Sequence, residues 1–309
     1  MSRQALSLLF LAIMVFYSRG GLGEDLQVIP KGAKLETLFA GGVLTEGVSA
    51  APNGLIYFSD ITFTAVSKMQ AGHLMVFDPK VGKVAVFRSP SGMSNGIKFD
   101  AEGRMVVAEG ADFGGQRIIR TDMRSGKSQI LAGLFEGKPF NAPNDISIDE
   151  KGRIYFSDPR YVGHEDIEQA VMAVYRIDPN GSIHRIITDA GKPNGVAVSP
   201  DQKTLYVVSN DNGNTDIFRF SEEFAASMWK GRMALMAYDL SESGAAKFRK
   251  TLVDYFPEDG PDGLVLDIEG NLYVAVRAAS RPGIYIYSPE GKELGYIATP
   301  ELPTNVGFG

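Results

Sequence analysis

A stretch of sixteen residues, PNDISIDEKGRIYFSD from Pro143, returns through the chain about every 50 residues. Its counterparts are TEGVSAAPNGLIYFSD from Thr45, SNGIKFDAEGRMVVAEG from Ser94, PNGVAVSPDQKTLYVVSN from Pro193 and PDGLVLDIEGNLYVAV from Pro261, with PTNVGFG from Pro303 as a sixth, shorter copy. A unit of this period cannot bury its apolar face alone and has to stack on its neighbours, as in a solenoid or a propeller. Each copy holds two runs that alternate apolar and polar residues around a turn, the period of a half-buried strand. Two more such runs follow in most units, HLMVFDP and KVAVFRS in the first, AVYRIDP and SIHRIIT in the third. Four strands per unit make a propeller blade. The repeat therefore predicts an all-β, six-bladed β-propeller forming one domain over residues 24–309, its last blade truncated at the C-terminus. The run KLETLFAG can lend that blade an outer strand, and with two strands missing the expectation is a less stable ring. The widest interval holds an insertion around residues 221–247, with SEEFAASMW a candidate short helix.

The aligned key positions are Glu46, Asn95, Asn144, Asn194, Asp262 and Thr304, spaced by 49, 49, 50, 68 and 42 residues. Asn-Gly and Asp-Gly are turn dipeptides. Here, however, each blade carries its own hairpin turn several residues later, and Glu46 and the Asn144-Asp145 pair fit no turn formula. The first strand of a blade lies innermost, and all six run the same way along the channel. Residues that open those strands therefore converge at one end of it. Two carboxylates and several amide oxygens without His or Cys make a hard oxygen site, suited to one Ca²⁺ per chain, with Mg²⁺, Mn²⁺ or Zn²⁺ as alternatives. Glu46 and Asp262 would balance the charge, and Asn144 and Asn194 would add neutral carbonyls. A coordination position left for substrate is what Lewis-acid catalysis needs.

Composition narrows the partners. Arg3 precedes an apolar stretch from Ala5 to Tyr17 and then Gly21-Leu22-Gly23, the layout of a secretory signal peptide over residues 1–23. The stretch is shorter than the roughly 20 residues a membrane span requires. Cleavage removes Arg3 and Arg19 and no acid, leaving 29 basic against 37 acidic residues, a charge of −8 in place of −6. An acidic chain without a basic run argues against nucleic acid. The chain has no cysteine, so export would leave stability to the core alone. The expectation is a secreted or periplasmic monomer, off the membrane once cleaved.

The stretches TEGV, PNDISIDEKGRIYFSD, PNGVAVSPDQKTLYV, GPDGLVLD and PTNVGFG resemble the SMP-30/gluconolactonase/LRE-like family of six-bladed propellers, which includes regucalcin-type lactonases and diisopropylfluorophosphatase-like hydrolases. The resemblance covers roughly residues 35–309. It implies metal ligands at Glu46, Asn144, Asn194 and Asp262, with Asp262 also the catalytic base or proton shuttle. The family pattern continues past NVGFG with a turn and a strand, whereas this chain stops at Gly309.

If the first strand starts at the metal end, the second finishes there, and the loop after it roofs the site. Loops 158–170, 209–215 and 276–283 then offer Arg160, Tyr161, Asn210 and Arg277 as substrate contacts. Asn95, in the ring but outside the four ligands the resemblance implies, joins them. His164 is a candidate for assisting proton transfer, while His73 and His184 carry no evident role. The leading expectation is a secreted, calcium-dependent hydrolase that opens a sugar lactone by metal polarisation of its carbonyl. The alternatives are a phosphotriester or other ester hydrolase on the same site, or a non-catalytic binding propeller with structural calcium.

Overall fold

The computed structural model of the chain describes residues 28–64, 71–213, 215 and 230–309. The signal-peptide expectation and the candidate helix SEEFAASMW fall outside the described residues. The strands form five four-stranded antiparallel sheets, each in simple sequence order. Blade 1 comprises β1 (Thr45–Ala50), β2 (Ile56–Asp60), β3 (His73–Asp78) and β4 (Lys83–Arg88). Blade 2 comprises β5 (Ser94–Phe99), β6 (Met105–Glu109), β7 (Arg117–Thr121) and β8 (Ser128–Ala132). A small hairpin, β9 (Leu134–Phe135) and β10 (Lys138–Pro139), precedes blade 3, which has β11 (Ile146–Ile148), β12 (Ile154–Asp158), β13 (Ala173–Ile177) and β14 (Ile183–Ile187). Blade 4 has β15 (Pro193–Val198), β16 (Thr204–Asn210), β17 (Met233–Leu240) and β18 (Ala246–Asp254). Blade 5 has β19 (Pro261–Leu266), β20 (Leu272–Val276), β21 (Gly283–Tyr287) and β22 (Glu293–Ala298). The later part of the expected insertion is thus β17 and the start of β18.

The propeller is confirmed and its blade count corrected: the described residues form five complete blades, not six. The sixth copy of the repeat offers seven residues, PTNVGFG, too few for four strands. That segment nevertheless lies between blades 5 and 1. Gly263 N–H donates to the Thr304 carbonyl at 2.7 Å, and Thr304 Oγ1–H donates to the Thr45 carbonyl at 2.6 Å. Val306 and Phe308 pack with Tyr273, Ala275 and Ile284 of blade 5 and with Val28 and Ile29.

The alternation read from the repeat builds the core. The second strand of every blade is buried along its whole length, because its two faces pack against the two neighbouring blades. Outer strands such as β4 and β18 are largely exposed. In blades 2, 3 and 5 the turn joining the first two strands is closed by an aspartate. Asp149 accepts from Lys151 N–H and Arg153 N–H, both at 2.9 Å, and pairs with the Arg153 guanidinium. Asp100 does the same with Glu102 N–H, Arg104 N–H and the Arg104 guanidinium in blade 2, and in blade 5 Asp267 accepts from Glu269 N–H, Asn271 N–H and the Asn271 side-chain amide. The final Asp of each FSD triplet has another task. Asp60 accepts from Val43 N–H and Leu44 N–H. Asp158 accepts from Asn141 N–H at 2.9 Å and Ala142 N–H at 2.8 Å. Each carboxylate thereby fastens the chain entering its blade, satisfying backbone donors no ladder reaches.

Candidate active site

The inner strands deliver the ring. In β1, β5, β15 and β19 the pairing register slips at the same place, just after the strand opens: Glu46/Ser49, Ser94/Ile97, Pro193/Val196 and Pro261/Leu264. A bulge bends its strand and re-aims a side chain, and here it lies beside Glu46, Asn95, Asn194 and Asp262. The next residue must be small. Gly47 sits at φ 58°, where a Cβ would lie 1.8 Å from the Asn95 carbonyl oxygen, so only glycine lets adjacent inner strands approach this closely. Two positions break the pattern. Asp145 accepts from Ile146 N–H at 2.8 Å and Val196 N–H at 3.3 Å, and Asn305 accepts from Val306 N–H while donating to Glu46 Oε2 at 3.1 Å. Asp145, the carboxylate beside Asn144, thus ties blade 3 to blade 4.

All six ring residues line one cavity of about 250 Å³, and all are buried. Glu46 Oε2 accepts from Gly47 N–H and Asn305 Nδ2, each at 3.1 Å. Burial raises the Glu46 carboxyl well above the usual carboxylate range, and the negative charge of Asp262 adds to this. Burial raises Asp262 to about 6, opposed by the Arg277 guanidinium, whose Nη1 lies 3.3 Å from Asp262 Oδ2. The Oδ1 atoms of Asn95, Asn144 and Asn210 are buried without a hydrogen-bond donor. Among the described residues, no group of three or more His, Asp or Glu is placed to hold a metal ion. The ring instead supplies two carboxylates and amide oxygens, of which those of Asn95 and Asn144 are unpaired, and Asn210 at the end of β16 adds a third unpaired oxygen to the same cavity. The donor-less Asn144 oxygen in one cavity with two carboxylates fits a hard divalent cation, which would neutralise the charge and satisfy that oxygen together, leaving the oxygens of Asn95 and Asn210 to accept from hydroxyls of a bound molecule.

Tyr161, Asn210 and Arg277 line the cavity as the strand direction predicts. Asn194 Nδ2 donates to the Tyr161 hydroxyl at 3.2 Å, and the Tyr161 ring covers the buried Lys192 ammonium at 4.7 Å. Asn210 is held by its Nδ2 on the Gly260 carbonyl at 3.2 Å. Arg160 departs from expectation. It is fully buried away from the cavity lining, and its Nη1 donates to the Glu165 carbonyl at 2.9 Å, so it braces its own loop instead of facing substrate. His164 does not line the cavity either; its Nδ1 lies 2.6 Å from Asp112 Oδ1, behind the rim. His73 and His184 pair with Ser89 and Asp178 on outer parts of their blades. Asn212 and an apolar group that includes Leu44, Ile61, Phe63, Met93 and Val162 also line the cavity. Ile61 and Phe63 follow β2 and obey the same strand-direction rule as the polar loops, but as apolar residues they carry no chemical signal in the sequence.

Fold and site together define a β-propeller with an oxygen-rich, cation-suited centre at one mouth of its channel. The chain belongs to the SMP-30/gluconolactonase/LRE-like family, whose sequence model matches residues 101–309. It is 30% identical over 276 residues to a gluconolactonase of Zymomonas mobilis, covering 83% of this chain and 72% of that protein. It is 31% identical over 200 residues to a lactonohydrolase of Aspergillus oryzae, covering 62% of this chain but 45% of that one. A solved gluconolactonase of Xanthomonas campestris superposes with a TM-score of 0.70 at 27% identity, over 88% of this chain and 81% of the other.

Proposed function

We propose that this chain is a lactone hydrolase of gluconolactonase type, exported and working as a monomer, with one Ca²⁺ in the ring of Glu46, Asn144, Asn194 and Asp262. The observation that carries the reading is the convergence of two carboxylates and three donor-less amide oxygens, from separate blades, on one small cavity. Membership of a family with gluconolactonases among its relatives supports the substrate class, and residues 1–23 support export by their pattern alone.

A bound divalent cation supplies positive charge against the lactone carbonyl oxygen and the charge that develops there. The chain's residues do the rest. Asn95, Asn210 and Arg277 orient the lactone ring through its oxygens. Asp262, with one oxygen near Arg277 Nη1, accepts a proton from water as the water oxygen attacks the carbonyl carbon. The ring C–O bond then breaks, and the proton passes to the departing alkoxide oxygen, giving the open hydroxy acid.

The test is proton release on opening glucono-δ-lactone, above the spontaneous rate, by wild type and Asp262→Asn. Wild type with Ca²⁺ should turn over and lose activity in chelator. Asp262→Asn should be slower by about 10²- to 10⁴-fold. Full activity in chelator, or in Asp262→Asn, would contradict the reading.

A further inference from the structure

Lys192 is a buried charge that the reaction above does not use. It lies two residues before Asn194, and 2% of it is exposed. A lysine is almost never buried this far without partners. Its Nζ donates to Asn212 Oδ1 at 3.0 Å, lies 3.9 Å from Asp211 Oδ1 and stands 4.7 Å from the centre of the Tyr161 ring. Tyr161 and Asn212 line the cavity, and Lys192 itself does not. The two come from different blades, Tyr161 from the loop after β12 and Asn212 from the loop after β16. The backbone of Lys192 is fixed as well: its N–H donates to Ser209 Oγ at 3.2 Å, and its carbonyl accepts from Asn210 N–H at 3.1 Å.

These contacts have a direction. An ammonium donates and cannot accept, so it holds Asn212 by the oxygen. The face of an aromatic ring attracts a cation, so the same ammonium holds the Tyr161 ring, whose hydroxyl accepts from Asn194 Nδ2 at 3.2 Å. With its nitrogen so engaged, Asn194 keeps its oxygen for a cation. We propose that Lys192 is a positioning residue that serves both halves of the site: through Tyr161 it aims Asn194 as a calcium ligand, and through Asn212 it sets the wall against which the lactone binds. The proposal rests on the lactone-hydrolase reading and adds to it a residue outside the cavity.

The experiment measures calcium affinity by calorimetry, and kcat and KM for glucono-δ-lactone at saturating Ca²⁺, in the full chain. Lys192→Met keeps the apolar stem and removes both contacts. It should weaken Ca²⁺ binding by about tenfold or more and raise KM about three- to tenfold, with kcat unchanged, the pattern of lost uniform binding. Lys192→Arg, which keeps a cation for the ring, should recover most of the calcium affinity. Asn212→Ala cuts one arm alone and should raise KM at wild-type calcium affinity. Wild-type calcium affinity and KM in Lys192→Met would overturn the proposal, as would a loss of kcat and melting temperature with neither of them changed. A wild-type KM in Asn212→Ala would overturn it even where Lys192→Met does not fold. No turnover by calcium-loaded wild type would instead overturn the hydrolase reading, and the calcium affinities would still decide the arm to Asn194.

Discussion

Asn194 donates its Nδ2 to the Tyr161 hydroxyl, and this contact decides which end of the amide turns to the cavity. Tyr161 is fixed in turn by the Lys192 ammonium against its ring. Supporting contacts of this kind typically change metal affinity by 10- to 100-fold. Tyr161→Phe should therefore weaken Ca²⁺ binding by about tenfold with an unchanged circular dichroism spectrum; a calorimetric titration giving wild-type affinity would refute the positioning role. The ring was legible in the sequence because a repeat aligns residues that are otherwise far apart, and Glu46, Asn95, Asn144, Asn194, Asp262 and Thr304 do meet in one cavity. Arg160 was not. Sequence places its loop at the mouth but gives no direction for the side chain, which satisfies carbonyls of its own loop. The apolar part of the lining was hidden for another reason: Ile61, Phe63 and Met93 resemble core residues in the sequence, yet they line the cavity.

At the scale of elements, the strands were legible through their alternation and their regular turns, whereas the short β9–β10 hairpin has no counterpart in the repeat and left no periodic signal. The FSD triplet looked like strand text alone, yet its aspartate fastens the preceding chain. Burial raises Asp158 to about 7 even though two backbone N–H groups favour its charged form. A folded-state value above that of the unfolded chain contributes stability at low pH that is lost as pH rises through about 7. Wild type should thus lose stability between about pH 5 and about pH 8. Asp158→Asn, less stable throughout, should lose about 2–3 kcal/mol less over that window. Urea unfolding at the two pH values measures the difference; parallel losses in both proteins would exclude Asp158 as the source.

For the whole molecule, the repeat predicted six blades and the described residues form five, with Pro303–Gly309 laid between the fifth and the first. Counting copies finds positions around the channel, but a blade also needs residues for its outer strands. Glu46 belongs to blade 1 and Asp262 to blade 5, so a cation held between them would link the two blades that flank this segment. An ion that binds only the folded chain at about a hundred times its Kd adds about 2.7 kcal/mol, so Ca²⁺ should raise Tm by several degrees over chelator. Thermal melts check this, and superimposable melts would show that no such link forms. The most direct measurement is a calorimetric titration of Ca²⁺ into chelator-stripped protein, wild type beside Asp262→Asn. The predicted result is one ion per chain for wild type and a marked loss of affinity in the variant. No calcium binding by wild type, or equal binding by both proteins, would contradict the assignment of the ring as the centre of this site.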